Sequence, residues 1–170
     1  MMLCEKYKEQ FLQPEVRCDT YIGIEIKQVW FAELQLLEKF IDVCNKHGLS
    51  YQLVGGSLLG AIRHKGFIPW DDDVDVGMLR PDYDRFVQLA KNELEAPFFL
   101  QTPLTDPGRN IDYVQIRNSA TTAIDLRYVD DHNTFNQGIF IDIFPIDGVG
   151  SDEVLQKQEK HLSNELNSNT

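Results

Sequence analysis

Apolar residues in the first third of the chain recur at three- and four-residue steps. Trp30, Leu34, Leu37, Ile41 and Cys44 make one such stripe within residues 28–47, and Gly48 follows it. The spacing predicts an amphipathic helix laid on a sheet and stopped by a glycine. Residues 51–54 then form a short apolar run, which predicts a buried strand. Residues 57–63 predict a short helix with Ser57 at its N-cap, where a hydroxyl takes an otherwise unpaired helix N–H. In Asp73-Val74-Asp75-Val76 the period drops to two, the pattern of a half-buried strand. Pro81 suits the first turn of a second helix, whose apolar face is Tyr83, Phe86, Val87, Ala90 and Leu94, and Pro97 marks its end. Further strands are predicted at 98–101, 111–117 and 121–128, the last two joined through Asn118-Ser119, and at 138–147. Residues 151–167 predict a polar helix. Before Trp30 the signal is weak, and only residues 5–12 suggest a short helix. The mixture of helical and strand periods places the chain in the α/β (α+β) class.

The chemistry is concentrated between the two helices. Gly55-Gly56-Ser57 joins a strand to a helix N-terminus, where free N–H groups and the helix dipole favour an anion. The two glycines let a phosphate approach the backbone. The same tripeptide is also an ordinary turn, and at this level both readings stand. Farther on come four carboxylates in five residues, Asp71, Asp72, Asp73 and Asp75. Period two puts Asp73 and Asp75 on one face, with Val74 and Val76 turned inward. Carboxylates held so close repel each other unless a cation lies between them, and hard oxygen ligands of this kind suit Mg²⁺ or Mn²⁺. A solvated acidic turn is the plainer alternative. A calcium loop has aspartates at the same spacing, but it wants glycine at its sixth position, which is Val76 here. Arg63, His64 and Lys65 lie between the two ends, either to neutralise a diphosphate or as a solvated loop. Asp142 is an acid inside the apolar run 138–147, costly to bury unless it is paired or holds a metal. Asp147, after Pro145, reads as a turn or cap residue.

A strand, a Gly-Ser helix and a strand bearing Asp-x-Asp resemble the nucleotidyltransferase superfamily that includes polymerase β. The likeness narrows over Gly55-Gly56-Ser57-Leu58-Leu59-Gly60-Ala61-Ile62-Arg63-His64-Lys65-Gly66 and the following Phe67-Ile68-Pro69-Trp70-Asp71-Asp72-Asp73-Val74-Asp75. This run is similar to the signature of the LicD family, and the similarity extends from about Trp30 to Asp147. Fifteen positions separate Ser57 from Asp73, more than in the wider superfamily and typical of the LicD pattern. The resemblance implies a nucleotidyltransferase (polymerase β-like) fold, with a mixed sheet flanked by helices. It also implies transfer of a phospho-alcohol such as phosphocholine from a CDP-linked donor to a glycan acceptor. By the same resemblance Asp73, Asp75 and Asp142 become the metal-holding and catalytic carboxylates. Gly55, Gly56, Ser57, Arg63, His64, Lys65 and Arg117 become donor-binding residues, Arg117 as a bidentate phosphate clamp. Residues 1–170 would be one domain lacking the C-terminal part that family members usually carry. A nucleotidyltransferase proper would share the carboxylates and differ in whether the nucleoside monophosphate leaves or is transferred. A non-catalytic metal- or nucleotide-binding module would bind without turnover.

Composition narrows the partners. With 16 basic and 27 acidic residues among 170, the net charge is −11, a poor match for polyanionic nucleic acid. No apolar run is long enough for a membrane span, and the N-terminus has no basic-then-apolar leader pattern. Cys4, Cys18 and Cys44 fit neither a zinc pattern nor a disulfide framework, which suggests a cytoplasmic location.

Overall fold

The computed structural model describes residues 3–109, 111–124 and 134–148, with Lys157 and Lys160 beyond them. Two single helical turns, α1 (Leu3–Lys6) and α2 (Lys8–Phe11), lead into a small antiparallel hairpin of β1 (Glu15–Arg17) and β2 (Thr20–Ile22). Cys18 and Asp19 both take positive φ at its tip, the backbone that a two-residue hairpin turn demands. Three-residue strands are too short to show a period, so the sequence pattern did not announce this hairpin.

The principal sheet has five strands in the order β3-β4-β7-β6-β5, from β3 (Gln52–Leu53), β4 (Asp75–Leu79), β5 (Phe98–Gln101), β6 (Val114–Asn118) and β7 (Ile139–Ile146). Only β4 and β7 run parallel; the other pairings are antiparallel. The expected mixed sheet is therefore present. Two long helices, α3 (Ile24–His47) and α5 (Arg80–Glu93), pack against it, and the short α4 (Gly55–Arg63) connects β3 to β4. Val76, Met78, Ile141, Ile143, Val114 and Ile116 form a core with Leu36, Phe40 and Val43 of α3 and Phe86 and Ala90 of α5.

α5 buries the face its spacing indicated, through Tyr83, Phe86 and Ala90. α3 does so only in part. It begins at Ile24, four residues before the expected start. Of the expected stripe, Trp30 and Cys44 are buried and Leu37 and Ile41 pack half-buried on the core, while Leu36, Phe40 and Val43 are additional fully buried positions. Both sets are apolar, and their mean directions differ by about a third of a turn. Leu34 and Ile41 line a groove with Tyr7 and Phe11 of the N-terminal segment. Gly48 stops the helix as expected, at φ 62.

Three other expectations need correction. Val54, not Ser57, is the N-cap of α4, and it makes no side-chain cap bond. The acidic strand starts at Asp75, not Asp73. Residues 121–124 are not strand, and 125–128 lie outside the described residues. The Asn118-Ser119 hairpin is absent; β6 pairs instead with β7, and Thr121 bridges locally by donating to the Asn118 carbonyl and accepting from the Ile139 N–H. The polar helix expected at 151–167 lies almost wholly outside the described residues.

Candidate functional site

Register builds the site. Asp75 of β4 stands directly opposite Asp142 of β7. Asp142 is in turn opposite Gln115 of β6, which is opposite Gln101 of β5. Because alternate residues of a strand share a face, this is one polar row crossing four strands, on the side away from the Val76–Ile143 core. The Asp142 N–H donates to the Val74 carbonyl at 2.9 Å, so the ladder continues to the residue between Asp73 and Asp75.

Ser57 fixes one end of this row. Its Oγ accepts the Asp75 N–H at 2.8 Å, tying the first turn of α4 to the start of β4. Gly55 and Gly56 have an equally local task. A Cβ on Gly55, which has φ 53, would lie 2.9 Å from Asp75 Oδ2, and one on Gly56 would lie 2.6 Å from Asp71 Oδ2. The glycine pair thus makes room for carboxylates at a helix N-terminus, where the dipole favours negative charge. Trp30 holds the neighbouring loop: buried and stacked on Phe67 at 4.7 Å, it donates its indole N–H to the Asp71 carbonyl at 2.8 Å. It is a core residue with a polar handle rather than a ligand platform.

The other end is a buried relay. Gln115 Nε2 donates to Asp142 Oδ1 at 2.6 Å. Arg117, 3 % exposed, donates through its three nitrogens to Gln115 Oε1, Gln101 Oε1 and the Gly138 carbonyl. Its guanidinium lies 4.4 Å from the Phe140 ring, and burial lowers its pKa to about 10. The phosphate clamp expected of Arg117 is therefore corrected: its nitrogens point into the protein and orient Gln115 on Asp142. Gln115 itself was legible in outline, since it is two residues from Arg117 and so on the same strand face.

The carboxylates are electrostatically frustrated. Burial and the charge of Asp73 push Asp142 up to about 6, against the opposing pull of Gln115, Arg117 and Arg109. Asp73 also rises to about 6, through desolvation and repulsion from Asp75, Asp71 and Asp72. Asp75 is raised by burial, Asp142 and Asp71. A cavity of about 480 Å³ opens here, with Asp73, Asp142, Glu33 and Arg109 in its polar wall and Tyr113 and Phe140 in its apolar wall. Neither Glu33 nor Arg109 was singled out from the sequence. For Glu33 a signal existed, because position 33 is three residues from Trp30 on the buried arc of α3. Arg63, His64 and Lys65 stand at the far end of α4, apart from the aspartates at its start. Arg63 donates to His64 Nδ1, and Lys65 to the Ile62 carbonyl. Asp147 forms a two-bond ion pair with Arg80. Among the described residues, no three His, Cys, Asp or Glu side chains already converge as a metal-ligand set.

These raised values carry a prediction. A carboxyl whose folded pKa exceeds its unfolded one makes the native state hold its proton more tightly, so its contribution to stability falls as pH rises between the two values. For Asp142 the window runs from its ordinary 3.8 to about 6. In chelator-treated protein, the drop in Tm between pH 4.5 and 6.5 is expected to be smaller in Asp142→Asn than in wild type. Equal slopes in thermal melts of the two proteins would refute it.

Comparisons with known proteins give the family. The family model described as "LicD/FKTN/FKRP, nucleotidyltransferase domain" matches residues 48–164. The "Lipopolysaccharide cholinephosphotransferase LicD" of Haemophilus influenzae is 39% identical over 117 residues, 68% of this chain and 42% of that protein. The "Ribitol 5-phosphate transferase FKRP" of Homo sapiens is 49% identical over 53 residues, 31% of this chain and 11% of that protein. An uncharacterized Rickettsia typhi protein, RT0683, is 34% identical over 84 residues, 46% of this chain and 27% of its own length. The chain thus spans less than half the length of the curated relatives it matches. No helix among the described residues is long and apolar enough to cross a membrane. The family match covers both the Gly-Gly-Ser helix and the strands that bring Asp75 against Asp142, and the chain belongs to the LicD family.

Proposed function

We propose that this chain carries a metal-dependent phosphotransferase site on a nucleotidyltransferase-type fold, moving a phospho-alcohol from a CDP-linked donor to a glycan hydroxyl. The observation that carries the reading is the Asp75–Asp142 register pair with Asp73 beside it, a concentration of carboxylate whose burial no described cation offsets in full. The donor set fits Mg²⁺ or Mn²⁺: all hard oxygens, repelling one another, with Gly55 leaving open the space beside Asp75 Oδ2. Like charges placed this close repel one another, and a cation would offset that repulsion. A bound divalent ion would supply charge neutralisation at the donor's diphosphate.

The chain's own residues divide the remaining work. Ser57 and the Gly55-Gly56 turn position Asp75 and present a helix N-terminus to the leaving nucleotide phosphate. Arg117 and Gln115 hold Asp142 in one orientation, leaving Asp142 Oδ2 to accept a proton from the acceptor hydroxyl. Arg63 and Lys65, exposed at the C-terminal end of α4, form the cationic approach for the donor, with the neutral imidazole of His64 between them. The transferred group and the glycan are taken by kinship with the LicD cholinephosphotransferase and the FKRP ribitol 5-phosphate transferase. A cytoplasmic setting is taken from the sequence, in which Cys4, Cys18 and Cys44 fit no disulfide framework.

Calorimetry with CDP-choline and CTP, with and without Mg²⁺, tests the donor site on this chain as it stands. Metal-dependent binding of the CDP ligand, lost in the Asp73→Ala/Asp75→Ala double variant, is the expected result. Binding that ignores metal and mutation alike would sink the reading. Mass analysis of an acceptor glycan then separates the chemistries, because release of CMP marks phospho-alcohol transfer and incorporation of CMP marks nucleotidyl transfer.

A further inference from the structure

The buried arc of α3 carries one acid. Glu33 is 2 % exposed, follows Phe31 and Ala32, and precedes Leu36 on that arc. Its Oε2 is buried without a hydrogen-bond partner. No described Lys, Arg or His forms an ion pair with it. A buried polar oxygen left unmatched costs on the order of 1–3 kcal/mol, and a carboxylate costs more. An apolar side chain at position 33 would avoid the penalty, and a glutamine would avoid the charge. Local choices of this kind, unfavourable for folding, concentrate at functional sites.

The surroundings of Glu33 say which function. It shares its cavity wall with Asp73 and Asp142. Burial first, and then the like charges of Asp72, Asp73, Asp71 and Asp142, push its carboxyl up to about 9. The Arg117 guanidinium in the same wall is bonded to Gln101, Gln115 and Gly138, and the Arg109 guanidinium lies over Phe135 at 5.8 Å. A carboxyl on this wall has an unmatched oxygen beside other carboxylates, an arrangement suited to a shared cation.

We propose that Glu33 is a fourth carboxylate of the divalent-cation site, its unpartnered Oε2 entering the coordination shell from the α3 side, directly or through one of the cation's waters. The inference rests on the cation site described above and adds to it a ligand from a different element. It also couples α3 to site occupancy, since the helix that carries Glu33 carries Trp30, whose indole holds the Asp71 carbonyl.

The test is Mn²⁺ titration of the purified chain by calorimetry, with the Mn²⁺-induced change in Tm as a second readout. Wild type, Glu33→Gln and the Asp73→Asn/Asp75→Asn double variant are compared. Glutamine has the shape of the neutral acid and keeps the cavity filled, so a merely structural role leaves Mn²⁺ affinity unchanged. The expected result is a loss of about tenfold or more in Mn²⁺ affinity and a smaller Mn²⁺-induced rise in Tm, the size expected on losing one supporting group of a metal site. The metal-free Tm of Glu33→Gln should equal or exceed that of wild type. Wild-type affinity in Glu33→Gln overturns the inference and leaves the aspartate site standing. If wild type takes up no Mn²⁺, the cation site itself falls and the inference with it. Should Glu33→Gln not fold, wild type labelled with ¹³C at glutamate Cδ gives the answer. Mn²⁺ should broaden the Glu33 resonance before those of other glutamates, and a Glu33 signal that survives saturation would refute the proposal.

Discussion

Asp142→Asn is expected to lower turnover by about 10³-fold or more while leaving the fold intact. The asparagine keeps an Oδ1 that can accept the Gln115 amide, so the relay through β6 and β7 survives the change. What it loses is the charge standing opposite Asp75 and, on the proposed function, the base for the acceptor hydroxyl. Each tenfold in rate corresponds to about 1.4 kcal/mol, so this loss asks about 4 kcal/mol of the carboxylate, an ordinary sum for a group that neutralises transition-state charge. Stability should move the other way: removing one of several mutually repelling carboxylates relieves the metal-free protein. The checks are CMP release for activity and thermal melting for stability. Activity within tenfold of wild type would remove Asp142 from the site.

Arg117→Ala should produce the largest loss of stability, about 3–5 kcal/mol, as is common when one member of a buried, hydrogen-bonded charged network is deleted. The side chain is 3 % exposed, and the change leaves Gln101 Oε1, Gln115 Oε1 and the Gly138 carbonyl unmatched. It also empties the space above Phe140 and removes a charge that lowers the Asp142 pKa. Arg117→Lys should recover little of this, because an ammonium on a flexible stem cannot reproduce three bonds from a planar fork. Denaturant unfolding measures the effect, and a loss under about 1 kcal/mol would show that Arg117 is not the centre of the relay. A phosphate-binding arginine at the surface would cost affinity instead and leave stability nearly unchanged.

The comparison of sequence with structure turns on range. What the chain specifies over a few residues was legible. Period two at Asp73-Val74-Asp75-Val76 marked the acidic strand, although it starts at Asp75, and the stripe Tyr83, Phe86, Ala90 marked the buried face of α5. Gly48 marked the end of α3, and the lone acid in an apolar run marked Asp142. The Gly-Gly-Ser and Asp-x-Asp spacing pointed to the family.

What depends on partners distant in sequence was not legible. Ser57 has the composition of an N-cap, yet its hydroxyl serves the Asp75 N–H, eighteen residues on. Arg117 reads as a phosphate clamp, and only the pairing of β5, β6 and β7 turns it toward Gln101 and Gln115. The stripe through Trp30 and Cys44 was legible as periodicity on α3, and only contact with the sheet shows that burial extends to Leu36, Phe40 and Val43. Glu33 follows from that contact, because the rotation that buries Phe40 also buries the acid. By itself the sequence determined which residues are helix and strand formers and which acids are out of place. The tertiary structure decided which of those acids meet, because strand register and helix rotation are set by long-range packing that a local period does not encode.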